Sequence, residues 1–120
     1  MTIYDGVAGL IAEYAPDAVV LEESFVGVDA RTALSVGQAR GAVLVAAAHA
    51  GLPCAEYAPA AVKNAVCGYG RAEKSQVQLM VHSLLRLDPP VDSEDACDAL
   101  AVAICHATHE ATARRLAQKV

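Results

Sequence analysis

An α/β domain, with helices packed on the faces of a small sheet, is the fold class this sequence predicts. Three observations carry it. Ile3, Val7, Leu10, Ile11 and Tyr14 recur at helical spacing and form one apolar face. Residues 18–21 (Ala-Val-Val-Leu) are wholly apolar and β-branched, as in a strand buried on both faces, and lead straight into Glu22 and Glu23. Helical and strand-like segments then alternate. Two strand candidates make a poor sheet, since a stable domain usually has three or more. The expected architecture is therefore an α/β sheet whose opening strands are absent.

The elements follow in order. Pro16 ends the first helix, and Asp29 is a plausible N-cap for a long helix from about residue 30 to 50. Gly51-Leu52-Pro53 closes that helix with a Gly-then-Pro stop. Its residues are small, and Gly37 and Gly41 lie on one face, so another backbone could approach closely. Residues 53–57 are the second strand candidate and 59–66 a short helix, followed by a turn-prone Cys67-Gly68-Tyr69-Gly70 linker. Val77, Met80, Val81, Leu84 and Leu85 mark the apolar face of the next helix, ended by Pro89-Pro90. Asp92 or Ser93 caps the last helix, which runs to about Gln118 with Ala96, Ala99, Leu100, Ala103, Ile104 and Ala107 inward.

Composition bounds the function. A chain of 120 residues is one domain's worth, able to bury roughly two-thirds of its unfolded surface. It is 55% hydrophobic and 19% charged, which excludes a disordered tail. A net charge of -5 means that any nucleic-acid affinity comes from a local basic patch. With four Tyr, one Phe and no Trp, a multi-base stacking platform is not expected. The four cysteines form no CxxC pair, no charged-then-apolar leader opens the chain, and the reading is cytosolic with reduced thiols. The longest apolar run, 42–48, is far below the roughly 20 residues that cross a bilayer.

Glu22, Asp95 and Asp98 are the first candidate constellation. Glu22 ends a buried strand, where open α/β sheets put their ligand crevice. Asp95 and Asp98 project from one face at the start of a helix. Such acids can converge on hard divalent cations that activate water for phosphodiester cleavage. They can equally be capping residues that favour the helix macrodipole. Lys63, Arg71 and Lys74 flank the glycine-rich linker, suited to phosphate contact or to an ordinary solvated loop. Phe25, just beyond the acidic strand end, could stack on a base or fill the core. Cys97, Cys105, His106 and His109 could form a soft-metal or redox site, but the cysteines read better as small apolar fillers.

Taken together, these motifs resemble the RuvC family of bacterial Holliday-junction resolvases over almost the whole chain. Leu21-Glu22-Glu23-Ser24-Phe25 looks like the family's acidic strand end, and Gly37-Gln38-Ala39-Arg40-Gly41 like its long-helix motif. Glu56-Tyr57 through Val62-Lys63 resembles its second strand and following helix. The run from Gly68 to Val77 (Gly-Tyr-Gly-Arg-Ala-Glu-Lys-Ser-Gln-Val) matches its most distinctive linker. Asp95-Ala96-Cys97-Asp98-Ala99-Leu100-Ala101-Val102-Ala103 is similar to its closing acidic helix.

The resemblance implies an RNase H-like fold spanning residues 1–120 as a single domain. It also implies a nucleoid-associated cytoplasmic endonuclease of recombination and repair that resolves four-way junction DNA as a homodimer. Glu22, Asp95 and Asp98 would be catalytic metal ligands for two magnesium (or manganese) ions. Lys63, Arg71, Lys74 and Phe25 would contact DNA, and the Gly37/Gly41 helix would lie near the dimer interface. Branch-migration helicase proteins are the partners it suggests, and no membrane. The family opens with an aspartate-bearing Gly-Ile-Asp-Pro-Gly-like strand, and no such motif precedes Thr2. An N-terminally truncated domain is therefore expected. A catalytically inactive junction-binding or dimerising remnant is the alternative reading, and a plain interaction domain a third.

Overall fold

The computed structural model describes residues 2–23 and 29–118. The elements are α1 (Ile3–Tyr14), β1 (Val19–Glu22), α2 (Ala30–His49), β2 (Cys54–Tyr57), α3 (Pro59–Cys67), α4 (Lys74–Leu85) and α5 (Glu94–Gln118). β1 and β2 form a two-stranded sheet. The Val19 N–H donates to Pro53 O at 3.0 Å and the Glu23 N–H to Tyr57 O at 2.8 Å. Both strands advance together between these bonds, so the pairing is parallel. Among the described residues no helix is long and apolar enough to cross a membrane.

The chain divides into two compact units, Met1–Val19 with Ser24–Ala55, and Val20–Glu23 with Glu56–Val120. In the first, α1 packs on α2, whose Ala46 and Ala47 are buried. The close approach expected at Gly37 and Gly41 is not seen among the described residues: a Cβ at either would meet nothing within 4 Å. Tyr4 meets His49 edge-on, with ring centroids 6.4 Å apart. Asp29 caps α2 by accepting from the Arg31 N–H at 3.0 Å, as its position before the apolar pattern suggests. The inward face of α1 differs from expectation. Ile3, Leu10 and Tyr14 are exposed, while Tyr4, Val7, Ala8 and Ile11 are half-buried. Alanine and glycine at the interface admit the α2 backbone more closely than the larger residues would.

The second unit holds the main core: Val62, Val66, Ala72, Val77, Val81, Ala101, Val102 and Cys105, with Val20 and Tyr57 of the strands packed against it. Pro59 starts α3 with its fixed φ, and Gly68 ends it at φ 89°. Glu73 and Gln76 form a capping box that starts α4 at Lys74. That helix ends before Pro89-Pro90. Arg86 adopts a left-handed conformation, and the Leu87 N–H closes the turn on His82 O at 3.1 Å. Leu84 and Leu85, expected inward, are therefore exposed near the helix end.

His82 then fixes the approach to α5. Its Nδ1–H donates to Gln78 O at 2.7 Å, leaving Nε2 to accept the Val91 N–H at 3.0 Å. Of the two candidate caps, Ser93 acts: its Oγ accepts the Ala96 N–H at 3.2 Å. The buried face of α5 is Cys97, Ala101, Val102 and Cys105, whereas Ala99, Ala103 and Ala107 face solvent. Alanines surround this helix, so the cysteines and Val102 identify its inward stripe.

Candidate active site

Four charged side chains from four elements line one cavity of about 290 Å³. Glu22 ends β1, Lys63 lies in α3, Lys74 opens α4, and Asp98 stands near the start of α5. Pro59, Val62, Val77 and Ala101 supply the apolar wall. Val62, Val77 and Ala101 also belong to the core, so the wall is part of the packed interior and the charges sit at its edge.

The electrostatics are mutual. Burial pushes the Glu22 carboxyl above its ordinary 4.5, and the negative charge of Asp98 adds to this, while Lys63 and Lys74 oppose it. Lys74 Nζ bridges Glu94 Oε2 at 3.4 Å and Asp98 Oδ2 at 3.5 Å. The hydrogen bond to Glu94, then the charge of Asp98, raises the Lys74 ammonium above its ordinary 10.5. Two carboxylates that repel each other across an apolar-walled cavity form a donor set suited to a hard cation, which would relieve that repulsion.

Of the sequence-predicted site residues, the fold brings Glu22, Asp98, Lys63 and Lys74 together around this cavity. Asp95 and Arg71 are exposed and do not line it, and Phe25 lies outside the described residues. Among the described residues, no three His, Cys, Asp or Glu side chains converge as the ligands of one metal ion. Within the group Cys97, Cys105, His106 and His109, Cys105 Sγ and His109 Nδ1 come within 3.6 Å. Cys97 and Cys105 are buried, and their thiols point at the carbonyls of Val91 and Ala61. They are the small fillers that the sequence suggests, and burial pushes the Cys105 thiol up.

Glu94 has no counterpart in the sequence reading. Its partner Lys74 is remote in sequence, so no local spacing signals the pair. Tyr57 is likewise unanticipated: its hydroxyl and His106 Nδ1 are hydrogen-bonded at 2.8 Å.

The α/β fold with its short parallel sheet matches solved structures of the RNase H-like class, in an incomplete form. The family model described as crossover junction endodeoxyribonuclease RuvC matches residues 1–106, and the chain belongs to the RuvC family. It is 54% identical over 107 residues to the crossover junction endodeoxyribonuclease RuvC of Moorella thermoacetica, covering 89% of this chain and 64% of that protein. The enzyme of the same name from Halorhodospira halophila is 58% identical over 107 residues, with the same 89% and 64% coverage. The chain thus spans just under two-thirds of the length of these curated relatives. The solved structure of Thermus thermophilus RuvC matches with a TM-score of 0.84 at 40% identity, over 92% of this chain and 67% of that one. The same protein in complex with Holliday junction substrate matches with a TM-score of 0.85 at 41% identity, over 90% and 66%.

Proposed function

We propose that this chain acts in a structure-selective DNA endonuclease that resolves four-way junctions by metal-dependent phosphodiester hydrolysis in recombination and repair. The observation that carries the reading is the shared cavity of Glu22 and Asp98, flanked by Lys63 and Lys74. Family membership and the junction-bound relative support it.

In this reading Glu22 and Asp98 hold divalent cations, magnesium or manganese, and Asp95, one turn earlier on α5, is assigned with them on the family resemblance alone. Bound there, two such ions would supply activation of water and charge stabilisation at the scissile phosphate. The chain's own residues do the rest. The apolar wall of Val62, Val77 and Ala101 backs the charges on one side and partly desolvates Glu22. Lys63 and Lys74, with Arg71 on the adjoining linker, hold the DNA backbone without reading its sequence. Phe25 engages bases beside the strand end. Residues 1–120 act as one domain of a cytoplasmic homodimer, cutting opposing strands in concert with branch-migration helicases.

The test is cleavage of a synthetic four-way junction with magnesium. The unsubstituted chain should release nicked duplexes, and Glu22→Gln and Asp98→Asn should each be at least about a hundredfold slower, the scale on which one electrostatic catalytic group acts. Equal cutting by all three overturns the assignment. The exposed position of Asp95, outside the cavity lined by Glu22 and Asp98, favours one second reading, a non-catalytic junction binder. It predicts a gel shift weakened by combined Lys63→Ala and Lys74→Ala, with no product at any metal concentration.

A further inference from the structure

We infer that Tyr57 and His106 form a positioning strap that ties the strand end carrying Glu22 to the helix carrying Asp98. The inference rests on the reading of these two acids as the reacting pair.

The strap is a closed path through the second unit. The Glu23 N–H, one residue beyond Glu22, donates to Tyr57 O at 2.8 Å. From the same residue, the Tyr57 hydroxyl reaches His106 Nδ1 at 2.8 Å. His106 and Asp98 share α5, about 12 Å apart along its axis at about 1.5 Å per residue. Two short hydrogen bonds therefore complete a path between the two carboxylates that is otherwise covalent.

The joint at Tyr57 is held from both sides. Its ring lies 5.8 Å from the His106 ring and 4.9 Å from that of His109. His109 is in turn locked, because its Nδ1–H donates to Cys105 O at 2.8 Å. Cys105 has no exposed surface, which anchors this turn of α5 in the core.

Glu22 and Asp98 have like charges and push apart, and the approach of a strand end to a helix must be maintained against that force. Reacting groups lose activity when misplaced by about 1 Å, so a tie at this junction bears directly on the chemistry. A half-buried tyrosine hydroxyl such as that of Tyr57 also finds a partner for purely structural reasons, which the experiment must separate.

Backbone amide exchange, measured by NMR on the full 120-residue chain, reads the strap directly. One net hydrogen bond corresponds to about a two- to tenfold change in a local opening equilibrium. Tyr57→Phe keeps the ring and removes the hydroxyl, and should speed exchange at the Glu23 amide by that factor. His106→Ala should do the same, while His106→Asn, whose side chain keeps a polar atom near Nδ1, should restore the slow rate. The Val19 amide, which donates to Pro53 O at 3.0 Å, should not change in any variant. On a four-way junction, Tyr57→Phe should lower kcat and leave KM unchanged.

Unaltered Glu23 exchange in Tyr57→Phe, or equal acceleration at Val19, overturns the strap. Altered exchange with undiminished kcat overturns its positioning role. The expected exchange pattern with no cleavage by any form, the unsubstituted chain included, supports the strap and overturns the endonuclease reading instead.

Discussion

The two halves of α5 solve different problems. From Glu94 to His106 the helix buries Cys97, Ala101, Val102 and Cys105 and carries Asp98 to the cavity edge. From Ala107 to Gln118 every residue is exposed. The match to the family model stops at residue 106, the same border. Tertiary packing holds the first half in place, so it can deliver side chains to fixed positions. Beyond His109, whose ring meets Tyr57, the second half has its own backbone ladder and good helix formers such as Ala111, Ala113, Leu116 and Ala117. Thr108 and Thr112 return their hydroxyls to carbonyls one turn back, each at 3.0 Å, which adds little stability.

The largest expected effect comes from testing that contrast with one substitution at two sites. Val102 is 4% exposed and Leu116 is 61% exposed. Val102→Asp puts an uncompensated carboxylate into the core and should cost about 3–5 kcal/mol, enough to unfold a marginal domain. Leu116→Asp should change stability by no more than about 0.5 kcal/mol. Urea denaturation followed by circular dichroism reads both. A comparable loss at Leu116 would mean that something covers the second half.

A smaller effect is tied to pH at the border of the two halves. Burial raises the Cys105 thiol above its ordinary 9.0, so the unfolded chain gives up that proton first. The stability linked to this thiol is complete below pH 9 and is lost as pH rises through the higher folded value. Burial likewise raises the Tyr57 hydroxyl from 10.0, with the same sign. The urea midpoint should therefore fall between pH 8 and pH 10, and Cys105→Ala should show a shallower fall from a lower starting midpoint. An unchanged slope in the variant would show that the thiol ionises equally in both states.

Much of this organisation is legible in the sequence where one residue type leaves one option. Asp29 before an apolar pattern, Pro59 at a helix start and Gly68 after one behave as their backbone chemistry requires. Glu22 and Asp98 stand out because carboxylates beside apolar runs are conspicuous. The inward faces of α1 and α5 were obscured by small residues. Alanine is compatible with core and surface alike, so a helix in which Ala99, Ala101 and Ala103 alternate has no unique apolar stripe. The Lys74–Glu94 and Tyr57–His106 pairs join residues far apart in the chain, which no helical or strand period encodes. Asp95 shares a helical face with Asp98 by spacing, yet the cavity takes only the residue one turn further along.

The smallest expected change in stability falls on the rim of the packed half, at Lys74. Its ammonium reaches Glu94 and Asp98 at 3.4 and 3.5 Å, but the lysine and both acids are substantially exposed. Water and salt screen such pairs, so they add little to folding. Lys74→Met should leave the urea midpoint unmoved, in contrast to Val102→Asp one turn beyond Asp98. Its effect should appear in binding instead. If the lysine holds a DNA backbone, removing it should weaken a four-way junction gel shift and flatten the salt dependence by about one unit of slope per copy. An unmoved midpoint with a flatter slope separates recognition at the rim from packing beneath it. A lowered midpoint with an unchanged slope would instead make Lys74 part of the scaffold, its role limited to neutralising Asp98 and Glu94.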